Sequence, residues 1–324
     1  MVERKKSARA PRPASNVPRR AGRLTVGILS RKRSLYSTRR LVEAAKQQGH
    51  RAIVLDTLRC NLILERGVPR MLYRGVEVRG VHVVVPRIGA SITAYGCAVV
   101  SHLELMDVPV ANPAGPIAVS RDKLRALQTL SRFGLDIPRT VMAHDRSDVA
   151  KLVDEVGGLP AIIKLLRGTQ GVGVMIASTR VEVQSMLDTF WDLGQEIVLQ
   201  EFIRESKGRD VRALVVGDRV VGAMRRTAKR GEFRSNLHRG GEGTPIVLPR
   251  RYAEAAVKAA QVIGLGICGV DMLESENGPK IMEVNSSPGF EGLEKATGED
   301  IAGRIISYAA DLSARKAARG AGVI

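Results

Sequence analysis

Two short apolar runs flanking one helical stretch restrict the fold more than any other feature of this chain. LTVGILS (24–30) reads as a strand, residues 36–48 as a helix stopped at Gly49, and RAIVLD (51–56) as a second strand. A strand that returns through a helix to a neighbouring strand is the unit of parallel α/β sheets. A hairpin at Arg74 and Gly75 follows, then VHVVVP (81–86) and a helix from about 91 to 106, and ANP (111–113) closes the alternation. These segments predict an open α/β domain over residues 23–118.

The pattern then changes. Ser120 is expected to cap a helix over 121–133 that Gly134 terminates. Strand 139–143, helix 147–156, strand 160–166, a Gly-rich turn, strand 173–178 and helix 180–192 follow. The remainder is richer in strands, at 196–203, 210–217, 219–224, 267–274 and 280–285, with helices at 250–263 and from about 300. The expected class is α/β followed by α+β.

Aromatic residues make up only 3% of the chain against 44% apolar content. Cores must therefore rest on Val, Ile, Leu and Ala, and little is left for stacking bases as many RNA binders do. Cys60, Cys97 and Cys268 show no metal-ligand spacing, which fits a reduced, cytoplasmic setting. No apolar segment approaches membrane-spanning length. Of the net charge of +18, residues 1–23 supply +7, from eight Arg or Lys against one Glu. The Pro-interrupted stretch 1–22 is expected to be a disordered basic tail rather than a signal peptide. An organelle-targeting role and an arm resting on ribosomal or other nucleic acid are both open to it. The excess on the body suits anionic ligands.

IMEVNSSPGFEG (281–292) places Glu283 and Asn285 two apart in an apolar run. On a strand they share a face and present hard oxygens together, the donor type for Mg²⁺, which is usually held by one or two carboxylates plus substrate phosphates. An ordinary half-exposed strand is the alternative. Asp271, in CGVDMLE, joins them if it pairs with Glu283 across a hairpin. A two-residue turn at Asn277-Gly278 would oppose it to Val284, whereas an odd loop over 276–278 opposes it to Glu283. Pro279 cannot donate to the ladder, so the odd loop is expected.

Phosphate motifs are few. The chain lacks the P-loop pattern, and its one G-x-G-x-x-G (Gly264, Gly266, Gly269) follows a helix and precedes a strand, inverting the dinucleotide context. KLLRGTQGVGV (164–174) is the better anion site, a turn between strands in which Gly168, Gly171 and Gly173 admit close backbone approach and Thr169 and Gln170 add donors. Lys164 either snorkels outward or sets its charge against phosphates.

Taken together, these segments with LQEFI (199–203), SRDKL (120–124) and FRSNLHRGG (233–241) resemble the ATP-grasp ligases, and more narrowly their RimK branch, whose members add glutamate to the C-terminus of a small-subunit ribosomal protein. The likeness runs from residue 24 to about 312, and SNLHRGG is its specific part. It implies an ATP-grasp fold behind an N-terminal pre-ATP-grasp α/β domain (23–118), with a central subdomain over 119–195, a C-terminal one over 196–318 and a tail at 319–324. Carried over position by position, Lys123 and Lys164 touch ATP phosphates under the turn 168–173. Glu201 and the Phe202 backbone meet the adenine, and Asp210 lies toward the ribose. Arg234, Ser235 and Asn236 face the reacting phosphate, with Arg234 and Asn236 catalytic. Asp271, Glu283 and Asn285 hold two Mg²⁺ or Mn²⁺. Read alone, Glu201 is a surface strand charge and Asp210 a strand start.

The implied reaction is ATP-dependent amide formation through an acyl phosphate, with L-glutamate and the ribosomal protein as partners and a homo-oligomer, a tetramer, as the assembly. A ligase acting on a carrier protein or small molecule is the rival within the class, and a basic RNA- or ribosome-binding module the rival outside it. The run Arg225, Arg226, Lys229, Arg230, Arg234, His238 and Arg239 is a solvated loop, an RNA contact or a surface for acidic substrates, the last being expected for part of it. Arg87, in VPRIG, is a further candidate. His50, His82, His102 and His144 lie in unrelated segments and are expected to pack or face water.

Overall fold

The first βαβ unit forms as its pattern requires. The computed structural model describes residues 22–142, 144, 148–166, 173–229 and 241–321. β1 (Thr25–Leu29), α1 (Tyr36–Gln47), β2 (Arg51–Leu55) and β6 (Val83–Pro86) make a parallel sheet of order β2-β1-β6. Between them β3 (Cys60–Ile63), β4 (Arg70–Tyr73) and β5 (Val76–Glu77) form a small antiparallel sheet. Its β4–β5 turn holds Arg74 and Gly75 at positive φ (51° and 82°), as a tight two-residue hairpin demands.

α2 (Thr93–Leu105) is followed by α3 (Ala114–Arg121) and α4 (Lys123–Arg132). The expected cap at Ser120 is overturned. Ser120 is buried inside α3 and its Oγ donates to the Ile117 carbonyl, while Asp122 caps α4 by accepting from the Arg125 amide. The sequence reading missed α3 because Gly115-Pro116 looks like a loop. Both lie in the first turn of α3, where backbone N–H groups have no partner within the helix and proline costs nothing.

A four-stranded antiparallel sheet, order β7-β10-β8-β9, comes from β7 (Thr140–Met142), β8 (Ala161–Leu165), β9 (Val174–Ala177) and β10 (Ile197–Glu201). α5 (Val149–Glu155) and α6 (Arg180–Asp192) cover one of its faces, with Ile163, Leu187, Trp191 and Leu199 in the core between. The fourth assembly is a five-stranded antiparallel sheet, order β13-β12-β11-β14-β15. It comprises β11 (Arg209–Val216), β12 (Arg219–Thr227), β13 (Glu242–Pro245), β14 (Ile267–Ser275) and β15 (Gly278–Asn285). α7 (Arg250–Ile263) packs on one face over Ala213, Val270 and Val284. α8 (Glu291–Thr297) and α9 (Ile301–Ala321) cover part of the other, over Leu214, Met224 and Ile267.

Aliphatic side chains fill these cores, as the low aromatic content requires, and Phe290 is the one aromatic ring among the largest fully buried side chains. Asn112 fastens the first domain to the five-stranded sheet. Its amide nitrogen donates to the Ile267 and Ser286 carbonyls at 2.7 and 2.9 Å, and its oxygen accepts from the Ile267 amide at 2.8 Å. Arg40 of α1 adds an ion pair to Glu294 of α8 at 3.0 Å. Among the described residues no helix is long and apolar enough to cross a membrane. Residues 1–21 of the expected basic tail lie outside the described residues.

Candidate functional site

Side chains two apart on a strand share a face, and on β11 that rule divides the sheet in two. Leu214 and Val216 belong to the apolar end packed under α8 and α9, while Asp210 and Arg212 continue the same face as charge. Neighbouring strands extend the charged end: Arg226 pairs with Asp210, Asp271 with Arg212, and Glu283 with Asp271. The result is a polar floor at the end of a sheet whose other end is core.

Asp271 thus lies opposite Glu283 as expected, but the expected odd loop is corrected. Ser275 pairs with Gly278 around a two-residue Glu276-Asn277 turn, and Pro279 sits in the ladder opposite Glu274. β15 is an edge strand, where a residue without an N–H is tolerated. The parity comes instead from a bulge between the Met272–Ile281 and Asp271–Glu283 pairs, which leaves Met282 as the extra residue. That bulge puts both Ile281 and Val284 in the core while turning Glu283 to the floor.

The floor is tightly ion-paired. Arg212 grips Asp271 with two bonds of 2.7 and 2.6 Å, and Arg226 bridges Asp271 at 2.8 Å and Asp210 at 2.6 Å. Burial alone would push the Asp271 carboxyl up; Arg212 and Arg226 override it and hold the group well below the usual carboxylate range. Asp210, carried over as a ribose contact, is 2% exposed and accepts from Arg226. Glu283 differs, being exposed and without a hydrogen bond or ion pair among the described residues. Asn285 accepts from the Ser287 amide at 3.0 Å.

Opposite stands the face of the four-stranded sheet turned away from α5 and α6, where Ile162, Val198 and Gln200 are buried. Lys164 of β8 donates to Gln200 of β10, whose amide in turn donates to Thr140 of β7 at 2.7 Å, so Lys164 points inward rather than snorkelling away. Burial pushes its amine down to about 8, Glu283 opposes the shift, and Lys123 adds to it. Lys123, first residue of α4, donates to the Leu165 carbonyl at 3.1 Å; burial lowers its pKa and Glu283 again opposes. Glu283 therefore faces these ammonium groups across the cleft. At its margin Glu201 accepts from the Arg139 amide at 3.0 Å and lies 3.6 Å from Lys280, which joins the two sheets. Phe202 follows directly and is partly buried.

Gly173, the described end of the Gly-rich turn, has φ 75°, and its amide oxygen accepts from the Leu165 N–H at 2.9 Å. Gly168, Thr169, Gln170, Gly171, Arg234, Ser235 and Asn236 lie outside the described residues. The basic run does not act as one patch. Arg226 faces the floor, whereas adjacent Arg225 points through the opposite face to Glu274 at 2.6 Å. Lys229 is exposed, and the rest of the run lies outside the described residues. His50, His82 and His102 each meet a backbone group. Sequence reasoning missed Arg212, Gln200 and Lys280. The two-apart spacing of Asp210 and Arg212 was the available signal, the same one that exposed Glu283 and Asn285.

The donor set suits a hard divalent cation: two carboxylates and a carboxamide on adjacent strands, all oxygen. Among the described residues no three His, Cys, Asp or Glu gather to hold a metal alone. Sunken ammonium groups on the facing wall suit phosphates.

Such a cleft belongs to enzymes that bring a nucleoside triphosphate and a divalent cation together. Comparison supplies the family. The RimK PreATP-grasp domain family matches residues 24–117 and the RimK-like ATP-grasp domain family residues 120–309. A probable alpha-L-glutamate ligase of Chromohalobacter salexigens is 53% identical over 283 residues, covering 87% of this chain and 94% of the relative. One of Pseudoalteromonas translucida is 49% identical over 301 residues, covering 92% and 100%. Among solved structures, the ATP-grasp ligase PsnB complexed with minimal precursor, Mg and ADP matches with TM-score 0.69 at 22% identity, over 90% of this chain and 98% of that one, a likeness of fold alone. The chain belongs to the RimK-like ATP-grasp family and is an ATP-dependent ligase.

Proposed function

We propose that the protein joins L-glutamate to the C-terminus of a small-subunit ribosomal protein in the cytoplasm, working as a homo-tetramer. The observation that carries the ligase chemistry is the opposition of Glu283 to Lys164 and Lys123 across the cleft. The relatives named as glutamate ligases support the choice of amine, and the basic surplus of the chain suits an acidic acceptor and product.

A carboxylate acylates poorly because its oxygen leaves badly. In the proposed sequence an acceptor carboxylate oxygen attacks the γ-phosphorus of ATP and ADP departs. The glutamate amine then attacks the acyl carbon, phosphate leaves, and the amine loses a proton as the amide forms. Lys123 and Lys164 are assigned to the phosphates together with the turn residues Gly168, Thr169, Gln170, Gly171 and Gly173, and Glu201 and Phe202 to the adenine. Arg234, Ser235 and Asn236 are assigned to the transferring group. Asp271, Glu283 and Asn285 would hold two Mg²⁺ or Mn²⁺, whose contribution is to neutralise charge on the phosphate oxygens. Arg212 and Arg226 fix the Asp271 carboxylate in orientation. Asp210 is assigned to the ribose side, and its bond to Arg226 supports that arginine.

Incubation with Mg-ATP, labelled glutamate and total ribosomal proteins tests this reading. The expected result is label at the C-terminus of one small-subunit protein, located by peptide mass, with ADP formed in step. Label on a non-ribosomal carrier or small molecule, or no label at all, would overturn it.

A further inference from the structure

Five buried side-chain polar atoms lack a hydrogen-bond partner among the described residues, and four belong to Arg87, Arg121, Ser286 and Ser287. Unsatisfied buried groups call for an explanation, and four on three adjoining segments call for a common one. Arg87 follows β6 and reaches the loop after β15, donating to the Pro288 carbonyl at 2.6 Å with its guanidinium carbon 5.7 Å from the Phe290 ring centre. Arg121 ends α3 and donates to the Ile88 carbonyl next door. In each the Nε–H is buried and unbonded, and neither arginine forms an ion pair among the described residues. The Ser286 and Ser287 hydroxyls, beside Pro288, are likewise unbonded.

Glu283 acts on Arg121 through its charge, but no carboxylate is bonded to either guanidinium among the described residues, and two such groups set together are costly until an anion joins them. Burial, with Arg121 adding, pushes the Arg87 group down to about 10, so it still carries its charge at neutral pH. Phosphates already have the lysines on the far wall. A planar guanidinium fork beside hydroxyl donors matches a carboxylate. It must be one that does not react, because an activated carboxylate has to leave any clamp. The serines directly follow Asn285, so an anion held here borders the reaction centre.

We infer that Arg87 and Arg121, with the Ser286 and Ser287 hydroxyls, bind the α-carboxylate of the incoming amino acid and thereby deliver its amine to the acyl group. This rests on the ligase reading above.

The test compares wild type with Arg87→Gln and Arg87→Lys, using glutamate, isoglutamine (α-amide) and glutamine (γ-amide) as probes. Ligation kinetics and, independently of turnover, the rise in melting temperature on adding each probe in Mg-ADP are the readouts. Losing a charge-assisted fork is expected to raise KM for glutamate by about 10- to 100-fold in Arg87→Gln, leaving KM for ATP unchanged, with Arg87→Lys between. Wild type should favour glutamate over isoglutamine and Arg87→Gln should lose that preference. A rise in KM for the acceptor instead, or lost preference against glutamine alone, would overturn the assignment. If wild type ligates no amino acid, the ligase reading fails by itself. Glutamate-induced stabilisation in wild type but not in Arg87→Gln would still support the site, and equal or absent stabilisation in both would refute it.

Discussion

Glu283→Gln is expected to lower turnover by at least about 10²- to 10³-fold, as removal of one charged group at a phosphoryl-transfer centre does, while the fold survives. The carboxylate is exposed and without a bonded partner among the described residues, so its removal breaks no bonded pair and withdraws only the through-space charge that favours Lys164 and Lys123. Asp271→Asn should behave differently although it stands directly opposite. Its oxygens take three bonds from Arg212 and Arg226, and Arg226 is 4% exposed. Breaking a buried ion pair by neutralising one partner costs about 3–5 kcal/mol. Asp271→Asn should therefore lose turnover and stability together, and Glu283→Gln turnover with far less stability. Melting curves beside rate measurements separate the two. Equal destabilisation by both substitutions would mean that Glu283 is held by contacts other than those described.

Lys164→Met is expected to weaken Mg-ATP binding by about 10- to 100-fold at neutral pH, the value of a charge-assisted contact to phosphate. The sign of its pH dependence follows from burial. The amine titrates at about 8 when folded, against an ordinary 10.5. Between those values the unfolded chain holds the proton more firmly, so charging Lys164 opposes folding, fully below about 8 and not at all above 10.5. Relative to Lys164→Met, the wild-type protein should gain stability as pH rises through that window. Its affinity for Mg-ATP should fall over the same range, and the variant's should stay flat. Methionine also strands the Gln200 oxygen, so the pH trend rather than the absolute difference isolates the lysine. A wild-type affinity indifferent to pH between 7 and 10 would remove Lys164 from the phosphates.

Where local chemistry decides an element, the sequence already displays it. Helix α6 runs over the expected residues because Thr179 caps it and Gly194 follows its end, and α7 does so because Gly264 takes the left-handed conformation at its end. The pairing of Asp271 with Glu283 was legible, yet the reason offered was wrong. A turn is chosen by its own residues, whereas the bulge at Met282 is chosen by the core, which needs both Ile281 and Val284. The arginine grip on Asp271 was not legible. Residues 209–216 lie beside 267–275 only once the sheet has formed, and no spacing along the chain announces that neighbour. The same holds for Arg87, whose partner loop is about 200 residues away.

In the proposed reaction this cleft makes a carboxylate reactive by phosphorylating it. Supplying the acceptor with oxygen-18 in its C-terminal carboxylate, and measuring the isotope in released phosphate by mass, tests that step most directly. One labelled oxygen per phosphate is expected for each amide formed. Amide formation with unlabelled phosphate would contradict it.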